Sequence, residues 1–159
     1  MEQVYWVIEG LLAGRRGPML APWDLAELWE GGLRVIVSLS EEVDPDRITA
    51  AGLRLYRFSI PPVLIFTNEQ QQALLEGVEA ALPVIQREVA AGQPVLVHCH
   101  EGKDRTGAML ACYLMRYRDL TAGQAIERVR AQRPDAMSAP GYEEAVREFG
   151  RRETGHSGV

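Results

Sequence analysis

The stretch VLVHCHEGKDRTG, residues 95–107, decides the fold, because a buried strand and the start of a helix meet in it. Residues 94–98, PVLVH, form a short apolar run that is typical of a strand covered on both faces. A turn containing Cys99 and Gly102 follows, and a helical pattern begins at about residue 106. Ligands of α/β sheets bind at the carboxyl ends of the strands, so this loop is the first candidate for a site.

Strands and helices alternate along the rest of the chain. The patterns predict further strands at 5–8, 11–13, 33–40 and 53–60, and helices at 21–32, 67–91, 106–118, 122–132 and 141–152. Two helix starts carry capping boxes, Thr67 with Gln70 and Thr121 with Gln124. This alternation predicts an α/β fold with three layers, in which helices flank a mostly parallel central sheet.

Composition limits the classes of protein that the chain can belong to. Its 159 residues, 47% hydrophobic and 25% charged, fit one domain over 1–152, followed by a flexible tail at 153–159. A net charge of −5 argues against a nucleic-acid partner. Neither a signal peptide nor an apolar run of about 18 residues is evident. We therefore expect a cytoplasmic monomer without a membrane segment.

The loop between the strand and the helix has the properties of an anion cradle. Successive N–H groups of residues 100–105 can point at one centre, the next helix adds its dipole, and Arg105 offers two parallel donors. Gly102 lets the backbone curl where a side chain would obstruct it. A tetrahedral dianion matches these donors, and the same positive field favours the thiolate of Cys99 as a nucleophile.

Two other interpretations of the loop fit less well. A nucleotide-binding P-loop needs a glycine where Val97 stands and a hydroxyl residue after Lys103. A zinc site built from His98, Cys99 and His100 is disfavoured, because neighbouring residues of a strand point in opposite directions. We therefore expect neither a metal nor a cofactor.

The segment HCHEGKDRTG resembles the signature His-Cys-x-x-Gly-x-x-Arg-Thr-Gly of the cysteine-based protein tyrosine phosphatase superfamily. Over about residues 5–150 the chain is similar to the small atypical dual-specificity members. The resemblance implies that Cys99 is the nucleophile, that Arg105 clamps the phosphate, that Thr106 steadies the thiolate and that His98 supports the loop. It also implies which residues bind the substrate phosphate, namely His100, Glu101, Gly102, Lys103, Asp104 and Arg105.

The chain departs from the family pattern at the general acid. Relatives carry an aspartate in a mobile loop, whereas Pro62 stands at the aligned position and no carboxylate lies between Arg57 and Glu69. One hypothesis is a domain that binds phosphate without turnover. The other, favoured by the intact Cys99, is an enzyme whose acid comes from elsewhere.

Asp104 is the acid that the sequence favours, since similar phosphatases that lack the mobile-loop acid have an aspartate in this position. In the alternative interpretation, the flanking cations Lys103 and Arg105 keep Asp104 ionised, and Asp104 only orients Arg105. Glu69 is the second candidate acid.

The expected activity is metal-free hydrolysis of phosphomonoesters through a phosphocysteine intermediate. A short chain with no insertion to wall a deep pocket favours a dual-specificity protein phosphatase, acting on phosphotyrosine and on phosphoserine or phosphothreonine. Lys103 at the rim leaves a phosphoinositide or another small phosphorylated substrate open.

Overall fold

The computed structural model describes residues 1–157, in which strands and helices alternate as predicted. The strands are β1 (Tyr5–Ile8), β2 (Leu12–Arg15), β3 (Val35–Ser38), β4 (Arg54–Arg57) and β5 (Val95–His98). The helices are α1 (Leu25–Glu30), α2 (Pro45–Ala50), α3 (Asn68–Ala90), α4 (Arg105–Arg118), α5 (Ala122–Gln132) and α6 (Tyr142–Ser157).

All five strands form one sheet in the order β1-β2-β5-β3-β4. Strand β1 is antiparallel to β2, and every other neighbouring pair is parallel. Strand β5 therefore lies at the centre, and its carboxyl end leads directly to Cys99. The predicted mostly parallel sheet is confirmed.

The sheet separates two hydrophobic clusters, which makes three layers. Along β3, Val35 and Val37 belong to the larger cluster with α3 to α6, and Ile36 belongs to the smaller cluster with α1 and α2. Along β5, Leu96 also faces the smaller cluster. Alternate side chains of a strand point to opposite faces, so both faces of the central strands are buried and the predicted three-layer α/β fold is confirmed.

Local sequence signals set several of the helix boundaries. Both predicted capping boxes are present, at Thr67 before α3 and at Thr121 before α5. The short helix α2, which the sequence patterns did not predict, begins with Asp44 as its N-cap and Pro45 in its first turn. Its segment PDRITA has too few apolar side chains to show a helical pattern, although this cap and proline together are a helix-start signal.

The last helix extends past residue 152, where we placed the start of a flexible tail. Helix α6 continues to Ser157, and Glu153 accepts hydrogen bonds from Arg116 on α4. Helix α6 therefore extends into the segment that we predicted as a tail, and this ion pair joins its Glu153 to α4, while the flexibility of residues 153–159 stays a prediction. Residues 158–159 of the predicted tail lie outside the described residues.

Among residues 1–157, no helix combines the length and apolar character needed to span a bilayer.

Candidate active site

The phosphate-signature loop runs from Cys99 to Asp104, between the end of β5 and the start of α4 at Arg105. Its backbone carbonyls point outward and are all bonded. Four of them accept hydrogen bonds from other parts of the chain: His100 O from Gly17 N at 3.0 Å, Glu101 O from Arg133 Nη1 at 2.9 Å, Gly102 O from the Tyr5 hydroxyl at 2.6 Å, and Lys103 O from Met137 N at 3.1 Å.

The N–H groups of the same loop have no such partners. Within residues 1–157, no N–H group of residues 100–105 donates a hydrogen bond to another part of the chain. Backbone N–H groups need acceptors when they are withdrawn from water. A loop whose carbonyls are all bonded outward and whose N–H groups are unused can accept a tetrahedral anion. The backbone has the arrangement expected of the predicted cradle, and anion binding by these residues stays a prediction.

Gly102 is required for this loop conformation. Its φ is +70°, and a Cβ at this position would lie 2.4 Å from the carbonyl oxygen of Arg15. Because the obstruction is backbone, it cannot move aside as a flexible side chain would. Burial raises the pKa of the Tyr5 hydroxyl, so Tyr5 remains a hydrogen-bond donor to Gly102 O.

Cys99 lies at the base of the cradle, with only 2% of its surface exposed. Its Sγ accepts a hydrogen bond from Thr106 Oγ1 at 3.0 Å. A donor at this distance stabilises a thiolate, which is the role that the resemblance implies for Thr106. The second cysteine, Cys112, is fully buried inside α4, and burial raises the pKa of its thiol, as expected of a packing residue.

Arg105 is fixed from behind by two carbonyls. Its Nη1 donates to Leu39 O at 3.3 Å and to Ile60 O at 2.9 Å. Its Nε and Nη2 have no partner among the described residues, so these two donors remain for an anion in the cradle. The side chain is 6% exposed, which reduces screening by water.

His98 supports the loop as a neutral imidazole. Nδ1 faces Cys99 O at 3.2 Å, and since a carbonyl only accepts, Nδ1 carries the hydrogen. Nε2 then accepts from the Ser38 hydroxyl on the neighbouring strand. Trp23 packs edge-on at 4.6 Å between ring centroids, and burial lowers the pKa of His98 to about 4.

Asp104 lies in the cavity and is engaged at both oxygens. Oδ2 accepts from Lys103 Nζ at 2.8 Å, and Oδ1 accepts from Ala139 N at 3.2 Å. Lys103 also donates to Ser138 Oγ at 3.0 Å. Asp104 is thus an ion-pair partner of Lys103, whereas within residues 1–157 no hydrogen bond or ion pair joins it to Arg105. The role of Asp104 as general acid stays a prediction.

A cavity of about 750 Å³ opens above Cys99. His100, Glu101, Lys103, Asp104 and Arg105 line it, so the structure brings these predicted residues together. Glu69 is absent from the lining; it is an exposed residue in the first turn of α3.

Three ionisable lining residues were missed by the sequence analysis. Glu42 accepts from His100 Nδ1 at 3.2 Å, Glu41 accepts from Ser59 Oγ at 3.2 Å, and Tyr142 comes from α6. The two glutamates follow β3, so the rule that ligands bind at the carboxyl ends of strands could have identified them. Tyr142 had no local signal, because only the tertiary fold brings α6 to the cavity.

One wall of the cavity is apolar and anchored. Residues 60–64, IPPVL, line it, and they include Pro62, the position at which the resemblance implies an acid. Tyr142 donates from its hydroxyl to Val63 O at 2.8 Å, and Ile65 N donates to Pro140 O at 3.0 Å. Burial raises the pKa of Tyr142 to about 12, so this hydroxyl keeps its proton at neutral pH. This wall is therefore apolar and held by hydrogen bonds, and Pro62 offers no proton.

A buried cysteine below an anion cradle, at the carboxyl end of a central parallel strand, defines the class of cysteine-based phosphatases. Residues 24–152 match the family model of the dual specificity phosphatase catalytic domain. The chain belongs to this family.

Three known proteins illustrate the similarity. The protein tyrosine phosphatase domain-containing protein 1 of Mus musculus is 29% identical over 172 residues, which cover 91% of this chain and 21% of that protein. The phosphatidylglycerophosphate phosphatase PTPMT1 of Arabidopsis thaliana is 28% identical over 135 residues, covering 84% and 39% of the two chains. The crystal structure of Tk-PTP in the active form has a TM-score of 0.78 at 26% identity and covers 95% of this chain and 98% of that one. This chain thus matches less than half the length of both curated relatives.

Proposed function

We propose that this chain hydrolyses phosphomonoesters through a phosphocysteine intermediate, as a dual-specificity phosphatase that accepts phosphotyrosine and phosphoserine or phosphothreonine. One observation carries the proposal: the carbonyls of the loop above Cys99 are tied outward and its N–H groups are unused. A dianionic phosphoryl group fills these donors and places phosphorus in line with the sulfur.

The first step forms the intermediate. The Cys99 thiolate attacks phosphorus, a P–S bond forms, and the bond to the leaving oxygen breaks. The loop N–H groups and Arg105 hold the three equatorial oxygens, where charge develops. The phosphate draws Lys103 away from Asp104, which frees the Asp104 carboxyl to hold a proton and to give it to the leaving oxygen.

The second step regenerates the enzyme. Water attacks the phosphocysteine, the P–S bond breaks, and the Asp104 carboxylate takes the proton that the water loses. Thr106 donates to Sγ, with the 3.0 Å contact already in place, and so stabilises the departing thiolate. Inorganic phosphate and the free thiolate result.

A lipid or another small phosphomonoester is the second candidate substrate. The apolar wall formed by Pro61, Pro62, Val63 and Leu64 favours it, because an extended hydrocarbon group can cover these side chains. A relative that shares 28% identity, PTPMT1 of Arabidopsis thaliana, is a phosphatidylglycerophosphate phosphatase. Lys103 adds a cation that suits a second phosphate on the same headgroup.

Turnover of p-nitrophenyl phosphate, with Cys99→Ser as the control, tests the proposal. We expect turnover by the native chain and none by the variant. Binding of phosphate without turnover by either protein would establish the non-catalytic alternative and overturn the proposal. Phosphotyrosine and phosphoserine peptides and phosphoinositides, compared under identical conditions, then rank the substrates.

A further inference from the structure

Large apolar side chains are exposed mainly around the cavity. In the described part of the chain, seven large hydrophobic residues are exposed, and five of them lie in two loops at the carboxyl edge of the sheet. The other two, Met1 and Trp29, lie near the end of α1, at the opposite edge. The five are Met19 (72% exposed), Leu20 (44%), Val63 (41%), Leu64 (47%) and Phe66 (73%).

The two loops stand on either side of the cavity mouth. Val63 and Leu64 line the cavity themselves. In the other loop, Met19 N donates to Oε1 of Glu42, which is also a lining residue, at 3.2 Å. The apolar side chains therefore form a border around the entrance to the phosphate cradle.

Hydrogen bonds fix the backbone of both loops in a conformation that leaves these apolar side chains exposed to water. Loop 60–67 is anchored by the bonds of Val63 O and Ile65 N described above, and Ile65 is buried. In the other loop, Ala21 N donates to Gly17 O at 3.2 Å, and Ala21 O accepts from Arg15 Nη1 at 2.9 Å. An apolar border that is anchored rather than folded inward is typical of an interaction surface.

Cations without a partner accompany the same two loops. Arg16, Arg47 and Arg57 are exposed, and within residues 1–157 no hydrogen bond or ion pair engages their guanidinium groups. Arg16 opens the first loop, and Arg47 lines a groove with Pro18 of that loop. Arg57 ends β4, directly before the second loop. By contrast, Arg54, Arg116, Arg130, Arg133, Arg147, Arg151 and Arg152 all form ion pairs.

We propose that this rim surface docks onto a lipid membrane. It comprises Met19, Leu20, Val63, Leu64 and Phe66 together with Arg16, Arg47 and Arg57. The apolar side chains would enter the interface, the arginines would meet lipid phosphates, and the cradle would face the headgroups. A lipid surface supplies hydrocarbon and phosphate side by side, which matches the alternation of apolar and unpaired basic groups around the mouth.

The acidic residues at the cavity mouth determine whether apolar insertion or electrostatic attraction contributes more to membrane binding. Glu41 and Glu101 are exposed lining residues and repel an anionic surface. Insertion of apolar side chains therefore supplies most of the affinity, and the arginines add a smaller, salt-sensitive part. Docking goes beyond the proposed function, because it needs no turnover.

The test measures partition of the full chain onto vesicles of phosphatidylcholine and phosphatidylglycerol by sedimentation. The variant Met19→Glu/Phe66→Glu removes the two most exposed apolar side chains, neither of which lines the cavity. The control Asn68→Glu adds a negative charge beside the same loop without removing an apolar group. We expect the double variant to bind at least about tenfold more weakly and the control to bind within about twofold of the native chain.

Two further measurements distinguish a loss of membrane binding from a loss of folding or activity, and the apolar from the electrostatic contribution. Turnover of p-nitrophenyl phosphate should be unchanged in the double variant, which shows that it is folded and tests the proposed function independently. Arg57→Gln should weaken binding to vesicles that contain phosphatidylglycerol by about fivefold and leave binding to phosphatidylcholine alone unchanged.

Three results would overturn membrane docking. One is that the native chain does not partition onto either type of vesicle. Another is that the double variant and Arg57→Gln both bind as the native chain does. The third is that the double variant raises the KM for a phosphopeptide while vesicle binding stays the same, which would assign the rim surface to a protein partner.

Discussion

Asp104 is the favoured candidate for the general acid, because the loop that carries this acid in the relatives has no carboxylate in this chain. It is a carboxylate of the signature loop, and it lines the cavity beside the clamp Arg105. Its two oxygens are held by Lys103 and by the N–H of Ala139. Lys103 is the one partner for which a phosphate dianion would compete, so the proposed acid role of Asp104 requires substrate binding to break this ion pair.

The substitution Asp104→Asn distinguishes the two roles. With an alkyl phosphate, whose leaving oxygen needs a proton, we expect kcat to fall by about 10² to 10⁴. With dinitrophenyl phosphate, whose leaving group needs none, we expect little change. Glu69→Gln should behave as the native chain with both substrates. An equal loss on both substrates in Asp104→Asn, or a leaving-group effect confined to Glu69→Gln, would contradict the assignment.

His98 gives the stability of the fold a defined pH dependence. Its pKa is about 4 in the folded chain, below the ordinary value of about 6.5, because burial disfavours the charged ring. The unfolded chain therefore takes up the proton more readily, and stability falls as the pH drops from about 6.5 toward about 4. Urea unfolding should show a loss of about 2 kcal/mol between about pH 7 and pH 5.

The matched variants for this pH dependence are His98→Asn and His100→Gln. His98→Asn should lose the decrease in stability, whereas His100→Gln, which changes a half-exposed side chain, should keep it. A decrease that persists unchanged in His98→Asn would show that another group is responsible.

At the scale of elements, the signature loop depends on neighbours that are distant in sequence. Tyr5, Gly17, Arg133 and Met137 hold its carbonyls outward. Tyr5 belongs to β1, Gly17 to the loop after β2, and Arg133 and Met137 to the segment after α5. The unused N–H groups are thus a product of the tertiary structure, although the glycine that permits the curl is local.

Gly102→Ala tests the loop conformation. The added Cβ would meet the Arg15 backbone at a positive φ, so the cradle cannot form as it is. We expect phosphatase activity to fall by about 10² or more, since several anion donors are displaced together. Gly123→Ala is the matched control, because this helical glycine has open space around its Cβ position, and it should keep full activity. Full activity in Gly102→Ala would contradict the described loop.

The sequence predicted the elements with strong local signals and missed those without them. Strand β5 and the two capping boxes were predicted because β-branched runs and Thr-x-x-Gln spacing are local. Helix α2 was missed because its segment PDRITA carries few apolar side chains, with Ile48 as its one buried residue. Within the site, the positions of Cys99 and Arg105 followed from one continuous segment. Tyr142 and Glu42 could not be found in this way, since they reach the cavity from separate elements.

At the scale of the whole molecule, the central position of β5 unites the fold and the site. The central strands are buried on both faces, and β5 in the middle of the sheet brings Cys99 to the edge where the loops after β2, β3 and β4 also begin. That edge carries the cradle, the apolar wall and the unpaired arginines. Chemistry, substrate contact and the proposed docking surface therefore share one side of the molecule.

Vanadate and EDTA test the metal-free mechanism of the whole chain. Vanadate should inhibit competitively, because it adopts the geometry of the transition state within the cradle. EDTA should leave activity unchanged, since Arg105 and the N–H groups supply the positive field. Strong stimulation of a dialysed sample by a divalent cation would contradict this mechanism.

The most direct measurement is the site of phosphorylation in protein quenched with acid during turnover of p-nitrophenyl phosphate, read by mass spectrometry. We predict one phosphoryl group on the peptide that contains Cys99, and neither label nor turnover in Cys99→Ser. A phosphoryl group on another side chain, or continued turnover by Cys99→Ser, would contradict it.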